Sequence, residues 1–217
     1  MTTRTFAAIV VGSGPFAAIC AIRLAVRHGP ERMLFATTDT EIGGSSYELF
    51  AADQADPAAV ARLDRFIVAE WDRFAIVDGA HAQLQTGRTC LLDPAQVRAE
   101  FLETCAGMTV LKQVRMTLAL DGYLIVDGNI HATEAMLSLP GARAGRSFIC
   151  EGMEALGLQC PVLLDAQPGT NRQVIPVAPD RVLVNALPQG TCRDDSGRID
   201  LAGTFGRQLD LVNRVPD

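Results

Sequence analysis

The sequence predicts an α/β fold, a parallel sheet wound with helices and carrying a β-rich lobe, on three observations. An uncharged, β-branched run from Thr5 to Val11 leads into Gly12-Ser13-Gly14 and then into a helix-spaced stretch that closes at His28-Gly29-Pro30. A second apolar run, Arg32 to Thr38, follows at once. The last third of the chain consists of short apolar runs separated by Gly, Pro and Asn. Strand, glycine turn, helix and strand is the pattern of a βαβ unit, and 217 residues at 48% hydrophobic content allow one domain or one domain with a small lobe.

The first strand reads as buried on both faces, because an apolar run without alternation suits the middle of a parallel sheet. The turn is G-x-G-x-x-A: Gly12 for the tight bend, Gly14 for close backbone approach to a pyrophosphate, and Ala17 as the small residue that lets helix and strand pack. Pro15 suits the first helical turn, where its missing N–H has no intrahelical partner. Together with Ser13 this makes an anion-ready helix start, so Gly12, Ser13, Gly14, Pro15 and Ala17 are the candidate cofactor-binding residues of a Rossmann-like FAD/NAD(P)-binding fold. The acid that holds ribose hydroxyls is expected at the end of the second strand. Ala36 stands there, and Asp39 and Glu41 are the nearest acids that can replace it from the following loop.

That loop continues through Ile42-Gly43-Gly44, whose paired glycines allow close approach to a ligand and join the candidate cofactor set. Val60, Leu63, Ile67 and Trp71 fall at spacings of three and four, which predicts a helix from Pro57 to Phe74 capped by Asp56. A second helix is predicted from Asp93 to Cys105. From Met108 the period turns strand-like, and Asp127-Gly128 between Leu124-Ile125-Val126 and Asn129-Ile130-His131 is a two-residue hairpin signal. Short strands follow at Ala135–Leu139, Ser147–Glu151, Pro161–Ala166, Gln173–Val177 and Arg181–Leu187. The organisation expected is one unit over 1–217, with a nucleotide-binding part in 1–45 and 108–145, a helical insertion in 46–107 and a β-rich substrate lobe in 146–190.

Formal charge is −6 with scattered arginines, which argues against a nucleic-acid surface. The six cysteines form no C-x-x-C and no ligand-like spacing with the three histidines, so no metal site is expected. Free cysteines in apolar runs, and the lack of a signal-like segment or an 18-residue apolar stretch, point to a reduced cytoplasmic setting, with peripheral membrane contact left open.

Several stretches carry a family resemblance. Leu63 to Trp71 (LDRFIVAEW), Gly122 to Leu139 (GYLIVDGNIHATEAMLSL), Arg146 to Glu151 (RSFICE), Cys160 to Ala166 (CPVLLDA) and Arg172 to Leu187 (RQVIPVAPDRVLVNAL) resemble, in order and spacing, the bacterial lycopene β-cyclase family of flavoproteins. The resemblance covers the chain and corresponds to the N-terminal half or so of a family member. It implies FAD as cofactor, or a descendant that has lost it, and non-redox cyclisation or isomerisation of an apolar polyene-type substrate. It also implies an acid that delivers a proton from an apolar pocket. Glu151 is the acidic candidate for that role, with Glu154 a competing match and Asp165 a further acid at a family position, while Asn185-Ala186 replaces the family's consecutive acids. A non-catalytic relative acting as a binding or partner subunit, in a homo- or hetero-oligomer, and a general FAD-dependent oxidoreductase are the alternatives.

Overall fold

The computed structural model describes residues 5–78, 80–115, 117–120, 122–139, 147–151, 157–164, 172–185, 209 and 212. In chain order the first half holds β1 (Thr5–Phe6), β2 (Ala8–Val11), α1 (Gly14–His28), β3 (Met33–Ala36), β4 (Glu48–Ala51), α2 (Pro57–Ala61), β5 (Ile67–Asp78), β6 (His81–Leu92) and α3 (Pro94–Thr104). The second half holds β7 (Thr109–Leu111), β8 (Thr117–Leu120), β9 (Tyr123–Val126), β10 (Asn129–Thr133), β11 (Met136–Ser138), β12 (Ser147–Glu151), β13 (Val162–Leu164), β14 (Arg172–Ala178) and β15 (Arg181–Asn185). Two compact units form: one from Met1–Glu48 and Asp93–Ala144, the other from Leu49–Leu92 and Gly145–Asp217.

The first unit contains a four-stranded sheet in the order β11-β2-β3-β7, every neighbour parallel. Ile9, Val10, Leu34, Phe35 and Ala36 are fully buried, as the unalternating runs predicted. Helix α1 begins at the glycine turn with Pro15 in its first turn, and its C-terminal cap Gly29 returns an N–H to the Ala25 carbonyl. Helix α3 packs against α1, and its Phe101 ring meets that of Phe35 at 5.4 Å between centroids. Asp93 caps α3 by accepting from the Ala95 N–H at 2.7 Å, which contributes about 0.5–2 kcal/mol in comparable helices.

The single strand expected over Thr5–Val11 is two strands. The chain bends at Ala7, whose N–H bonds the Arg32 carbonyl at 2.8 Å. Before the bend β1 pairs parallel with β10 and forms the edge of a second sheet ordered β1-β10-β9-β8; after it β2 enters the main sheet. Within that second sheet the Asp127-Gly128 turn behaves as expected, with φ of 45° and 86° at its two residues, the left-handed pair of a type I′ hairpin.

In the second unit the predicted helix from Pro57 to Phe74 is corrected. Helix α2 stops at Ala61, and Ile67 onward is a 12-residue strand that carries Trp71. It forms a long antiparallel hairpin with β6, running from the Ile67–Leu92 pair to the Asp78–His81 pair. The segment IVAEWDRFAIVD alternates half-buried and exposed side chains along its first part, and a partner strand available 14 residues on favours the extended form over the helix. Strands β4–β6 and β12–β15 make one sheet, β12-β15-β14-β13-β5-β6-β4. Val77, Val162, Leu164, Val174 and Val184 fill its core, with Leu209 and Val212 packed on it. No helix among the described residues is long and apolar enough to cross a membrane.

Candidate functional site

The parallel strands β2, β3 and β11 end on the same side, and beyond their carboxyl ends lies a crevice of about 330 Å³. Its walls are Val11-Gly12-Ser13, Ala36-Thr37-Thr38, Val114-Arg115 with Thr117, and Ser138-Leu139. In an open α/β sheet the outer edge of the carboxyl ends is where ligands bind. Gly12 is obligatory there for packing: a Cβ on it would stand 2.9 Å from the Ala17 Cβ and 3.1 Å from the Leu139 Cβ. Gly14 is held at φ 77°, a left-handed conformation that side-chain-bearing residues avoid.

Of the residues singled out from sequence, Gly12 and Ser13 line this crevice. Pro15 and Ala17 are buried in the body of α1 and set its packing on the sheet. Gly43 and Gly44 belong to a loop that folds back over the turn. A Gly44 Cβ would lie 3.5 Å from the Gly14 Cα.

Arg98 of α3 fastens that loop, donating to the Ile42 carbonyl at 3.1 Å and the Gly44 carbonyl at 2.8 Å. It also forms an ion pair with Glu41. The two loop acids considered for the ribose are therefore committed elsewhere. Glu41 turns to Arg98, and the Asp39 carboxylate accepts the Gly14 N–H at 2.7 Å, an internal anion placed at the start of α1 where the helix dipole favours negative charge. Ala36, at the end of β3, is fully buried and brings no polar group.

Sequence reasoning missed Thr37, Thr38, Arg115, Thr117 and Ser138. Ser138 and Thr38 were legible as the residues at or just past the ends of apolar strands; Arg115 had no local signal. Its position is set by main-chain bonds between two neighbouring segments. Thr37 donates its N–H to the Leu111 carbonyl at 2.9 Å, while Val114 and Gln113 donate to the Thr37 and Asp39 carbonyls at 3.0 and 3.2 Å. Gln113 takes φ 57° to make this turn. The Arg115 N–H is then received by the Asp127 carboxylate at 3.2 Å, so the hairpin turn and the strand end together fix where that residue leaves the backbone.

The acidic candidate Glu151 closes β12, opposite Arg181 of β15 in the sheet register. Glu154, the competing match, and Asp165, a further acid in the family-like stretches, lie outside the described residues. Asn185, which replaces a family acid, donates its amide to the Gln173 carbonyl oxygen at 3.0 Å across β14 and β15, and both side chains are buried. This is a polar pair within the sheet. Among the described residues no three His, Cys, Asp or Glu side chains gather into a metal-sized group.

Glycine turn and parallel sheet make an α/β fold that matches the Rossmann-like fold of FAD-binding flavoproteins with a curled β-sheet lobe. Among solved structures the chain is similar to p-nitrophenol 4-monooxygenase PnpA from Pseudomonas putida, with a TM-score of 0.54 and 15% identity over 94% of this chain and 63% of that one. It is similar to 2-methyl-3-hydroxypyridine-5-carboxylic acid oxygenase, with a TM-score of 0.53 and 11% identity over 99% of this chain and 68% of that one. A third is pqsL, a probable FAD-dependent monooxygenase from Pseudomonas aeruginosa, with a TM-score of 0.52 and 13% identity over 94% of this chain and 67% of that one. The chain thus spans 63% of the length of the first of these structures. No family model matches it, and no curated protein matches it in sequence.

The crevice lies past the strand ends beside a turn that excludes a side chain at Gly12, and Ser13, Thr38, Thr117 and Ser138 are among its lining residues. The Asp39 carboxylate already stands at the start of α1, where it accepts the Gly14 N–H.

Proposed function

We propose that this crevice binds an adenine dinucleotide, FAD foremost, and that the chain serves an FAD-dependent oxidoreductase. The observation that carries the reading is the crevice beyond the parallel strand ends with Gly12 packed tightly at its floor; the likeness in fold to monooxygenase structures supports it. When bound, FAD supplies hydride and electron transfer through its ring system. The chain's own part is to hold the adenosine end against Gly12, Ser13, Thr37 and Thr38 and to present the turn's backbone to the phosphates.

Calorimetric titration with FAD and with 5′-ADP tests this. Saturable binding of either ligand is expected, with a shifted flavin spectrum for FAD. Binding of neither overturns the proposal.

A finer reading, non-redox cyclisation or isomerisation of an apolar polyene-type substrate with Glu151 as proton donor, rests on the sequence resemblance. It requires that Glu151→Gln abolish turnover while flavin binding persists. An apolar small molecule and a second subunit, of the same or another kind, are the partners that go with it.

A further inference from the structure

We infer that the Asp39 carboxylate is an internal stand-in for a ligand phosphate: it holds the Gly14 N–H until a nucleotide binds and gives it up when the phosphate arrives. The inference rests on the nucleotide reading above and adds how entry to that site is controlled.

The second glycine of such a turn is where the backbone approaches a pyrophosphate, and here its N–H already has an anion. Asp39 reaches it from 25 positions away at 2.7 Å, the length of a charge-assisted bond. The main chain of Asp39 is fixed on both sides. Its N–H donates to the Thr37 hydroxyl at 3.1 Å, and its carbonyl accepts the Gln113 N–H at 3.2 Å. The backbone therefore stays in place while the carboxylate can swing about its own side-chain bonds, and because Asp39 is only half-buried the swing leads into water.

The loop beyond it keeps the carboxylate on the turn. Gly43 and Gly44 take φ of 79° and 73°, a conformation that side-chain-bearing residues avoid. At Gly44 the site of a Cβ lies 3.4 Å from the Asp39 Oδ2 and 3.5 Å from the Gly14 Cα, so the loop passes directly over the contact. Arg98 locks that path through the Ile42 and Gly44 carbonyls and through Glu41. Turn, carboxylate and loop form one closed set, and the bond from Gly14 to Asp39 is the bond an incoming phosphate replaces. The exchange leaves neither group unsatisfied at its end: Gly14 receives a second anion and the carboxylate is hydrated. Asp39 thus opposes ligands that carry a phosphate and is indifferent to adenosine.

The test uses the whole chain with 5′-ADP and with adenosine. In protein with isotope-labelled aspartate side chains, the Asp39 carboxyl resonance, assigned by its loss in Asp39→Asn, is expected to move on addition of 5′-ADP and to hold still with adenosine. Calorimetry gives a second measure. Asparagine keeps an acceptor on the Gly14 N–H and alanine does not, so Asp39→Ala is expected to bind 5′-ADP about fivefold more tightly than Asp39→Asn, whereas charge repulsion alone makes the two variants equal. The resonance is read in the unsubstituted chain, so it decides even if the alanine variant fails to fold. A resonance that stays put while 5′-ADP binds, one that moves equally with adenosine, or a folded alanine variant no tighter than the asparagine one overturns the inference and leaves the nucleotide reading standing. Failure of 5′-ADP to bind any of the three chains overturns both.

Discussion

Asp39→Asn separates the ribose role that the sequence allowed for this acid from the helix-start contact that the structure shows. As observed, the carboxylate accepts the Gly14 N–H at 2.7 Å and places a negative charge at the start of α1. Asparagine keeps an acceptor oxygen of the same reach and removes the charge. The lost charge–dipole attraction costs about 0.3–1 kcal/mol, a fall of about 1–4 °C in melting temperature for a chain of this size. Nucleotide affinity moves the other way. A phosphate about 4 Å from the carboxylate is repelled by about 1 kcal/mol even with the dielectric of bulk water, and by more where water is excluded. Taking the lower figure, Asp39→Asn tightens 5′-ADP about fivefold, and the gain shrinks as salt screens the pair. Differential scanning fluorimetry reads the first effect and calorimetry at low and moderate salt the second. A loss of affinity would refute the reasoning, because it would mean that Asp39 serves the ribose.

Gly12→Ala forces a Cβ to within 2.9 Å of the Ala17 Cβ and 3.1 Å of the Leu139 Cβ. Overpacking of this kind costs about 1–3 kcal/mol, so thermal unfolding begins earlier, and 5′-ADP binding weakens as the turn is pushed outward; an unchanged melting curve would contradict the close approach. Burial pushes the Glu48 carboxyl above its ordinary range. The folded state therefore holds this proton to higher pH than the unfolded chain, and Glu48 stabilises the fold below its unfolded value and loses that contribution as pH rises through the folded one. Glu48→Gln is expected to raise the melting temperature at pH 7 and leave it unchanged well below the ordinary carboxylate range of about 4.3; a rise of equal size at both pH values would rule out the charge as the cause. Burial, with the nearby Glu100 charge second, pushes the Cys105 thiol up to about 12, so a thiol reagent at pH 8 is expected to label Cys105 only on unfolding, as peptide mapping of native and denatured samples would show.

Local rules made much of the first unit legible. The glycine turn, the proline in the first turn of α1, the start of α3 at Asp93-Pro94 and the Asp127-Gly128 hairpin each depend on residues within a few positions of one another, and each stands where the sequence placed it. The helix expected through Trp71 did not, because Val60, Leu63, Ile67 and Trp71 satisfy a helical period while Ile67, Ala69 and Trp71 equally satisfy a strand period. The choice is made by β6, a partner with no strong apolar pattern of its own: His81 to Leu92 mixes Gln, Thr, Gly and Arg among its apolar residues. The crevice divides in the same way. Its floor, Gly12 and Ser13, was readable from the turn, but Asp39 finds Gly14 across 25 residues and Arg115 reaches the wall through bonds from three separate segments. Those depend on the path of loops, which composition does not encode.

The bend at Ala7 has a consequence for how the protein is made. Residues on either side of it are the partners of two strands near the far end of the first unit: Thr5 and Phe6 await Ala132 and Thr133, and Ile9 to Val11 await Met136 to Ser138. During synthesis the amino-terminal strand leaves the ribosome with one edge open, and that edge stays open until the chain has been extended past Ser138, with Leu49–Leu92 of the other unit emerging in between. Pairings of such long sequence separation form slowly, and an apolar strand edge left waiting is prone to the wrong partner. Slow translation before residue 138 therefore lengthens the interval in which nascent chains can aggregate, and chaperone dependence is expected to concentrate in that interval.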